Sequence, residues 1–115
     1  MTPTGHSMTL YIDTTDFNSA VYAIKTTKKV FKKTYKADSY KAYETLGKLD
    51  EFLKFAKVKI KEIKKIVINK GPGSYTGTRV GTAHALAISL ALNIPIKALE
   101  KTKFDKDLRV SGLFW

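Results

Sequence analysis

Short apolar runs bounded by polar residues predict three β-strands in the first third of the chain. In the second run, Ala20, Tyr22 and Ile24 alternate with the residues between them and share one face of a strand. Lysines in the third run suit an exposed sheet edge, because charge opposes pairing with other chains. The predicted strands cover 9–12, 18–24 and 30–35.

The apolar period then lengthens to three or four residues, which predicts an amphipathic helix over 39–56 with Ser39 as its cap. Tyr40, Phe52 and Phe55 lie outside the centre of its apolar stripe, so the helix has more apolar surface than one contact face requires. The surplus predicts either a docking face for a partner or a cover for the sheet edge. The stripe consists of Tyr43, Leu46, Leu49, Leu53 and Ala56.

A sharp turn is predicted between a buried strand over 66–68 and a helix over 74–92. Glycine frees φ there, proline fixes it, and no bulky side chain crowds the bend. Ser74 or Thr76 caps the helix. The predicted structural turn comprises Gly71, Pro72, Gly73 and Ser74.

Small residues recur at every fourth position from this turn into the helix and form an inclined ridge. Each glycine inside a helix costs about 0.5–1 kcal/mol relative to alanine. Close approach of another helix is expected to offset that cost. The ridge consists of Gly73, Gly77, Gly81, Ala85 and Ser89.

Two chemical interpretations of the glycine-rich turn compete with a purely structural one. A phosphate-binding Walker loop requires Gly-Lys-Ser/Thr, whereas Gly77 is followed by Thr78 and Arg79. A nucleophile elbow requires Gly-x-Ser-x-Gly, whereas Ser74 directly follows Gly73. The turn itself therefore defines neither a nucleotide site nor a hydrolase.

A last strand over 94–99 completes the order β-β-β-α-β-α-β in one α/β domain. Because strand-helix-strand connections are right-handed and parallel, this order predicts a mixed five-stranded sheet with helices packed on it. Residues 1–7 are interpreted as a disordered leader or a remnant of recombinant expression. The domain covers 8–101, and 102–115 form a C-terminal tail.

The chain is strongly basic, with a formal net charge of +11 at pH 7. Its lysines are scattered, and arginine occurs at Arg79 and Arg109 alone. Direct contact with a polyanion and a merely solvated basic surface both account for this pattern. Cysteine is absent, which excludes disulfides and fits a reducing cytoplasm. The longest apolar stretch, 83–92, is shorter than the roughly 20 residues of a membrane span.

The glycine-rich word resembles the TsaB (YeaZ) family, an accessory subunit of the bacterial system that makes threonylcarbamoyladenosine in tRNA. The resemblance extends over about residues 8–101. Its most specific part is Gly71-Pro72-Gly73-Ser74-Tyr75-Thr76-Gly77-x-Arg79-x-Gly81, with support from Ile12-Asp13-Thr14, Ala85-Leu86-Ala87 and Asn93-Ile94-Pro95.

The resemblance implies one lobe of the ribonuclease-H-like, actin-like ATPase fold and a non-catalytic, cytoplasmic role. Members of the family pair with the catalytic subunit TsaD, or with another copy, through the two helices of this lobe. An ATPase subunit, TsaE, joins the assembly, and tRNA is contacted in the complex. The predicted interface comprises Leu46, Leu49, Phe52 and Leu53 for apolar contact and Gly77, Gly81 and Ala85 for close approach.

The chain departs from the family in two respects. TsaB proteins usually have a second lobe of similar size, whereas the resemblance here covers one lobe. The catalytic relative has a pair of metal-binding histidines on its first helix, whereas the histidines here are His6 and His84. No cofactor or metal site is therefore predicted, and Asp13 is expected to stabilise a turn.

Three hypotheses about function follow. The first is a non-catalytic subunit for tRNA threonylcarbamoylation that pairs through its helices. The second is a small nucleotide-binding ATPase remnant or a hydrolase that uses Asp13 and Ser74. The third is a basic tRNA-binding module, for which salt-dependent affinity would be diagnostic.

Overall fold

The computed structural model describes residues 8–16, 19–26, 30–36, 44–73 and 75–109, with the backbone alone for 44–47 and 75–77. Within these residues the chain forms five strands and three α-helices, and a 3-10 turn at Ile60–Glu62 precedes the fourth strand. The elements are β1 (Thr9–Asp13), β2 (Ser19–Lys25), β3 (Val30–Lys36), α1 (Glu44–Ala56), β4 (Lys65–Asn69), α2 (Tyr75–Leu92), β5 (Ile96–Leu99) and α3 (Lys101–Arg109).

The sheet has the order β3-β2-β1-β4-β5. β1, β2 and β3 pair antiparallel, whereas β1, β4 and β5 pair parallel. The mixed five-stranded sheet predicted from the sequence is therefore confirmed. β3 is an edge strand, and its residues Lys32, Lys33 and Lys36 are exposed as expected for a strand that does not pair further.

The larger apolar core lies between one face of the sheet and the helices α1 and α2. Ala20, Tyr22 and Ile24 are fully buried in this core, so the face predicted by their alternation is confirmed. Phe52 of α1 stacks on Tyr22, with 5.9 Å between ring centroids. The first described residue of α1 is Glu44, and its predicted start at Ser39 lies outside the described residues.

A smaller core lies on the opposite face of the sheet, under α3. Phe104 packs edge-on against Tyr11, with 5.6 Å between ring centroids, and Leu108 is buried beside them. The Tyr11 hydroxyl donates a hydrogen bond of 2.7 Å to Asp107 Oδ2. Burial, and then this hydrogen bond, raise the pKa of Tyr11.

The first part of the predicted tail is therefore a helix that belongs to the domain. The sequence gives only a weak signal for it, because α3 has nine residues, most of them charged. Its packing depends on Phe104 and Leu108, which are four positions apart and lie on one face. Residues 110–115 lie outside the described part of the chain. No helix in the described part is long and apolar enough to cross a membrane.

Candidate functional site

Asp13, at the carboxyl-terminal end of β1, accepts hydrogen bonds from the turn that follows β1 and from the end of β4. Its Oδ1 accepts from the backbone N–H of Thr15 at 2.9 Å and from the Thr15 hydroxyl at 2.6 Å. Its Oδ2 accepts from Asn69 Nδ2 at 3.2 Å. A carboxylate that accepts the N–H two residues ahead forms an Asx turn. These bonds give Asp13 the turn-stabilising role expected from the sequence.

Asn69 extends this connection into the turn between β4 and α2, where its Oδ1 accepts the Gly71 N–H at 2.9 Å. Gly71 has a φ of 103°, which side chains rarely adopt. A Cβ at Gly73 would lie 2.6 Å from the Cβ of Thr15, so only glycine fits beside the β1 turn. Pro72 lies between them in the turn, and Ser74 lies outside the described residues.

Hydrogen bonds connect the residues of this strand-end cluster, which are Asp13, Thr15, Asn69 and Gly71. Both carboxylate oxygens of Asp13 accept hydrogen bonds from neighbouring residues, and the amide of Asn69 binds on both sides. Among the described residues, no group of three or more histidine, cysteine or acidic side chains is placed to hold a metal ion. The geometry favours turn stabilisation over chemistry at Asp13.

Three of the four α1 residues that were predicted to contact a partner face the interior of the lobe. Leu49, Phe52 and Leu53 are buried against the sheet. The side chain of Leu46 lies outside the described ones. Phe52 thus covers the sheet, which was the alternative interpretation of the surplus apolar surface. Phe55 is half exposed, and the Lys33 ammonium lies 4.5 Å from its ring centroid.

The small-residue ridge of α2 also faces the sheet of its own chain. Gly81, Ala85 and Ser89 are buried, whereas Gly77 is among the residues described by their backbone alone. A Cβ at Gly81 would collide with Thr14 Oγ1. At this position the space that was predicted for a partner helix is filled by Thr14, which follows β1 directly. This close contact explains glycine at position 81.

The opposite side of α2 presents an apolar surface that the sequence analysis missed. Leu86 is 45% exposed and Leu90 is 80% exposed. They are four positions apart and therefore adjacent on one helix face, and Ala83 and Ala87 are exposed beside them. This surface could have been predicted from the helical period, which places residues 83, 86, 87 and 90 on the side of α2 opposite to Gly81 and Ala85. We call these four residues the α2 outer face.

His84 lies on α2 between these two sides and is half buried. Its Nδ1 is buried without a hydrogen-bond partner. Burial lowers the pKa of His84, and the charge of Asp50 on α1 opposes this effect in part. A buried nitrogen without a partner favours the neutral ring at neutral pH.

Three antiparallel strands are joined through β1 to three parallel strands, with helices on both sheet faces, and this arrangement fits the fold of a ribonuclease-H-like, actin-like lobe. Residues 36–103, more than half of the chain, match the family model described as TsaD, tRNA N6-adenosine threonylcarbamoyltransferase. The chain belongs to this family.

Relatives with curated names carry the name TsaB. The tRNA threonylcarbamoyladenosine biosynthesis protein TsaB of Bacillus subtilis (strain 168) is 50% identical over 38 residues, which are 33% of this chain and 17% of that protein. TsaB of Buchnera aphidicola subsp. Baizongia pistaciae is 46% identical over 50 residues, 44% of this chain and 23% of that protein. These matches confirm the predicted resemblance to TsaB.

A solved structure, YeaZ from Pseudomonas aeruginosa, superposes with a TM-score of 0.72 at 22% sequence identity. The match covers 82% of this chain and 44% of the YeaZ chain. The fold is therefore that of one YeaZ lobe. The chain spans less than half of the length of this relative.

Proposed function

We propose that the chain is a non-catalytic subunit in tRNA threonylcarbamoyladenosine biosynthesis. It pairs with a TsaD-like subunit or with a second copy of itself, in the cytoplasm, where tRNA is modified. Membership of the family and the named TsaB relatives support the process. The observation that carries the pairing mechanism is the α2 outer face.

Exposure of isolated leucines is ordinary, but adjacent exposed leucines on one helix form a patch that water does not favour. Leu86 and Leu90 provide that patch. The side chains of Ala83 and Ala87 beside the leucines are small, so a partner helix can approach this face of α2 closely. This surface replaces Leu49, Phe52 and Leu53 as the proposed contact, because those side chains are already buried.

The strand-end cluster supports a non-catalytic role. In an actin-like ATPase, a carboxylate at this strand end would hold a nucleotide-bound magnesium ion. Here both carboxylate oxygens accept hydrogen bonds from Thr15 and Asn69. We therefore assign the transfer chemistry to the partner subunit and the docking surface to this chain.

The test measures the solution mass of the chain alone and mixed with the TsaD of its own source. In the double variant Leu86→Lys and Leu90→Lys, buried charge at the contact opposes association. We expect the affinity of the pair to fall at least about 30-fold, the loss typical of an interface hot spot. Because both positions are exposed, the free energy of unfolding of the double variant is expected to stay within about 0.5 kcal/mol of the wild type, measured by thermal unfolding.

The control is Ile60→Lys, which introduces one of these two charges at an exposed apolar residue outside the α-helices. It is expected to leave pairing unchanged. A wild-type chain that stays monomeric at every concentration and ignores TsaD would contradict the proposed function. Equal pairing in the double variant and the wild type would contradict the assignment of the α2 outer face.

A further inference from the structure

A cleft of about 290 Å³ lies between β5 and α3, on the side of the sheet opposite to α1 and α2. Leu99 gives it a partly apolar floor. Lys97 enters it from the strand, and Lys103 and Lys106 enter it from the helix. The two helix lysines are three positions apart and so project from one face of α3. We call Lys97, Lys103 and Lys106 the cleft lysines.

The cleft lysines form no ion pair with the described residues of the lobe. All three are exposed, and no hydrogen bond or ion pair engages their ammonium groups in the described part of the chain. The one carboxylate in the cleft wall belongs to Asp107, whose Oδ2 accepts the hydrogen bond of the Tyr11 hydroxyl. The Tyr11 hydroxyl therefore holds that carboxylate in place in the last turn of α3.

Two further lysines extend the positive surface along the same side of the sheet. Lys25 and Lys65 both pair with Thr9, one from each neighbouring strand, and therefore point to the face that α3 covers. The Lys25 ammonium donates a hydrogen bond of 2.5 Å to the Asp107 carbonyl at the end of α3. The lysines of β2, β4, β5 and α3 thus lie on the same side of the sheet.

We propose that the cleft lysines bind phosphate groups of RNA. Lysine acts on phosphate as a point charge, so three lysines spaced around a cleft suit a backbone with repeated negative charges. The apolar floor at Leu99 accommodates a ribose or a base edge between the phosphates. The net charge of +11 adds long-range attraction to such a partner. The choice of RNA over another polyanion rests on the proposed function, and the phosphate chemistry does not.

The experiment measures binding of the full chain to a fluorescently labelled tRNA transcript between 50 and about 200 mM salt, the range in which phosphate contacts respond most clearly. We expect log affinity to fall linearly with log salt. The triple variant Lys97→Gln, Lys103→Gln and Lys106→Gln is expected to reduce the slope by roughly 2, because each lost phosphate contact accounts for about 0.7–0.9. Its affinity at low salt is expected to fall at least about tenfold.

A matched triple variant, Lys54→Gln, Lys61→Gln and Lys64→Gln, removes the same charge from exposed lysines elsewhere on the lobe. It is expected to change the slope by less than about 0.7, which is less than one contact. An equal loss in both variants would overturn the proposal, because the charge would then act diffusely. Absence of binding by the wild type at low salt would overturn it as well.

Two additional measurements separate this proposal from the proposed function. Polyglutamate of matched charge serves as a competitor, and displacement of tRNA by it at equal charge would overturn the assignment to RNA. The cleft variant is also tested for pairing, which takes place on the opposite side of the sheet and is expected to persist. Loss of tRNA binding with intact pairing supports the cleft. Binding of tRNA by a chain that never pairs refutes the proposed function and leaves the cleft standing.

Discussion

Gly81 lies where α2 crosses the end of β1, with the side chain of Thr14 directly against it. At the residue scale, small side chains in this lobe are needed where a helix meets a turn of the same chain. Gly73 has the same relation to Thr15. Gly81 was predicted to face a partner and Gly73 to shape the turn, because a sequence shows the periodicity of small residues but not the side of the helix that the sheet occupies.

Gly81→Ala is expected to destabilise the lobe. Helix propensity by itself would raise the free energy of unfolding by about 0.5–1 kcal/mol. The new Cβ would collide with Thr14 Oγ1, and overpacking of this kind costs about 1–3 kcal/mol. We therefore expect a net decrease of about 1–2 kcal/mol in a urea titration.

Two variants check the cause of that loss. Thr14→Ala in the Gly81→Ala background removes the colliding atoms and is expected to recover part of the stability. Ala87→Gly, at an exposed position of the same helix and measured on the unpaired chain, reports propensity and is expected to cost about 0.5–1 kcal/mol. Unchanged or increased stability of Gly81→Ala would show that the contact with Thr14 is not tight.

His84 gives the lobe a dependence of stability on pH. Burial lowers its pKa in the folded state below 6.5, the ordinary value, which the unfolded chain retains. Between the two pKa values the unfolded state binds more protons, so the free energy of unfolding decreases as pH falls below about 6.5. Stability is fully present above the unfolded pKa and is lost towards the folded one.

The measurement is an NMR titration of His84, with its signal assigned by the His84→Gln variant. Urea titrations of both proteins between pH 7 and pH 5 give the linked effect. The variant is expected to lose less stability than the wild type over this range. A His84 pKa at or above 6.5 would show that the half-buried ring is solvated and that Asp50 dominates its environment.

α3 shows how little sequence signal an element needs when tertiary contacts define it. At the element scale, two apolar side chains of a nine-residue charged helix complete the second core. Its N-terminus is held by a hydrogen bond from the Lys101 N–H to the Gly71 carbonyl, at 2.9 Å. The helix is thereby tied to the same glycine turn that connects β4 to α2.

Phe104→Ala is expected to lower the free energy of unfolding by about 3–5 kcal/mol, the usual cost of removing a buried phenylalanine. Thermal or urea unfolding monitored by circular dichroism measures it. Lys101→Ala changes an exposed side chain of the same helix and is expected to stay within about 0.5 kcal/mol of the wild type. A small effect of Phe104→Ala would mean that α3 is docked weakly.

At the scale of the whole molecule, the sheet separates two surfaces with different chemistry. The α2 outer face is apolar and lies with α1 on one side, whereas the cleft lysines and α3 lie on the other. The proposed pairing and the proposed RNA binding therefore use different surfaces. The arrangement agrees with a subunit that brings a modifying enzyme and its tRNA together, which is the function we propose.

The sequence by itself determined the strand order along the chain, the two large helices and the glycine turn. It could do so because periodicity, β-branched runs and the special φ of glycine act over a few residues. It also determined the family, through the word from Gly71 to Gly81, and the basic charge. These properties do not depend on how the helices and strands pack on one another.

The tertiary structure alone decided which side of each helix is free. Leu49 and Phe52 are buried against the sheet and Gly81 contacts Thr14, whereas Leu86 and Leu90 are exposed to solvent. It also placed α3 on the sheet, so that two lysines of α3 line one cleft with Lys97 of β5. The reason is physical, because burial depends on how the elements pack on one another, whereas periodicity records only that a helix has two sides.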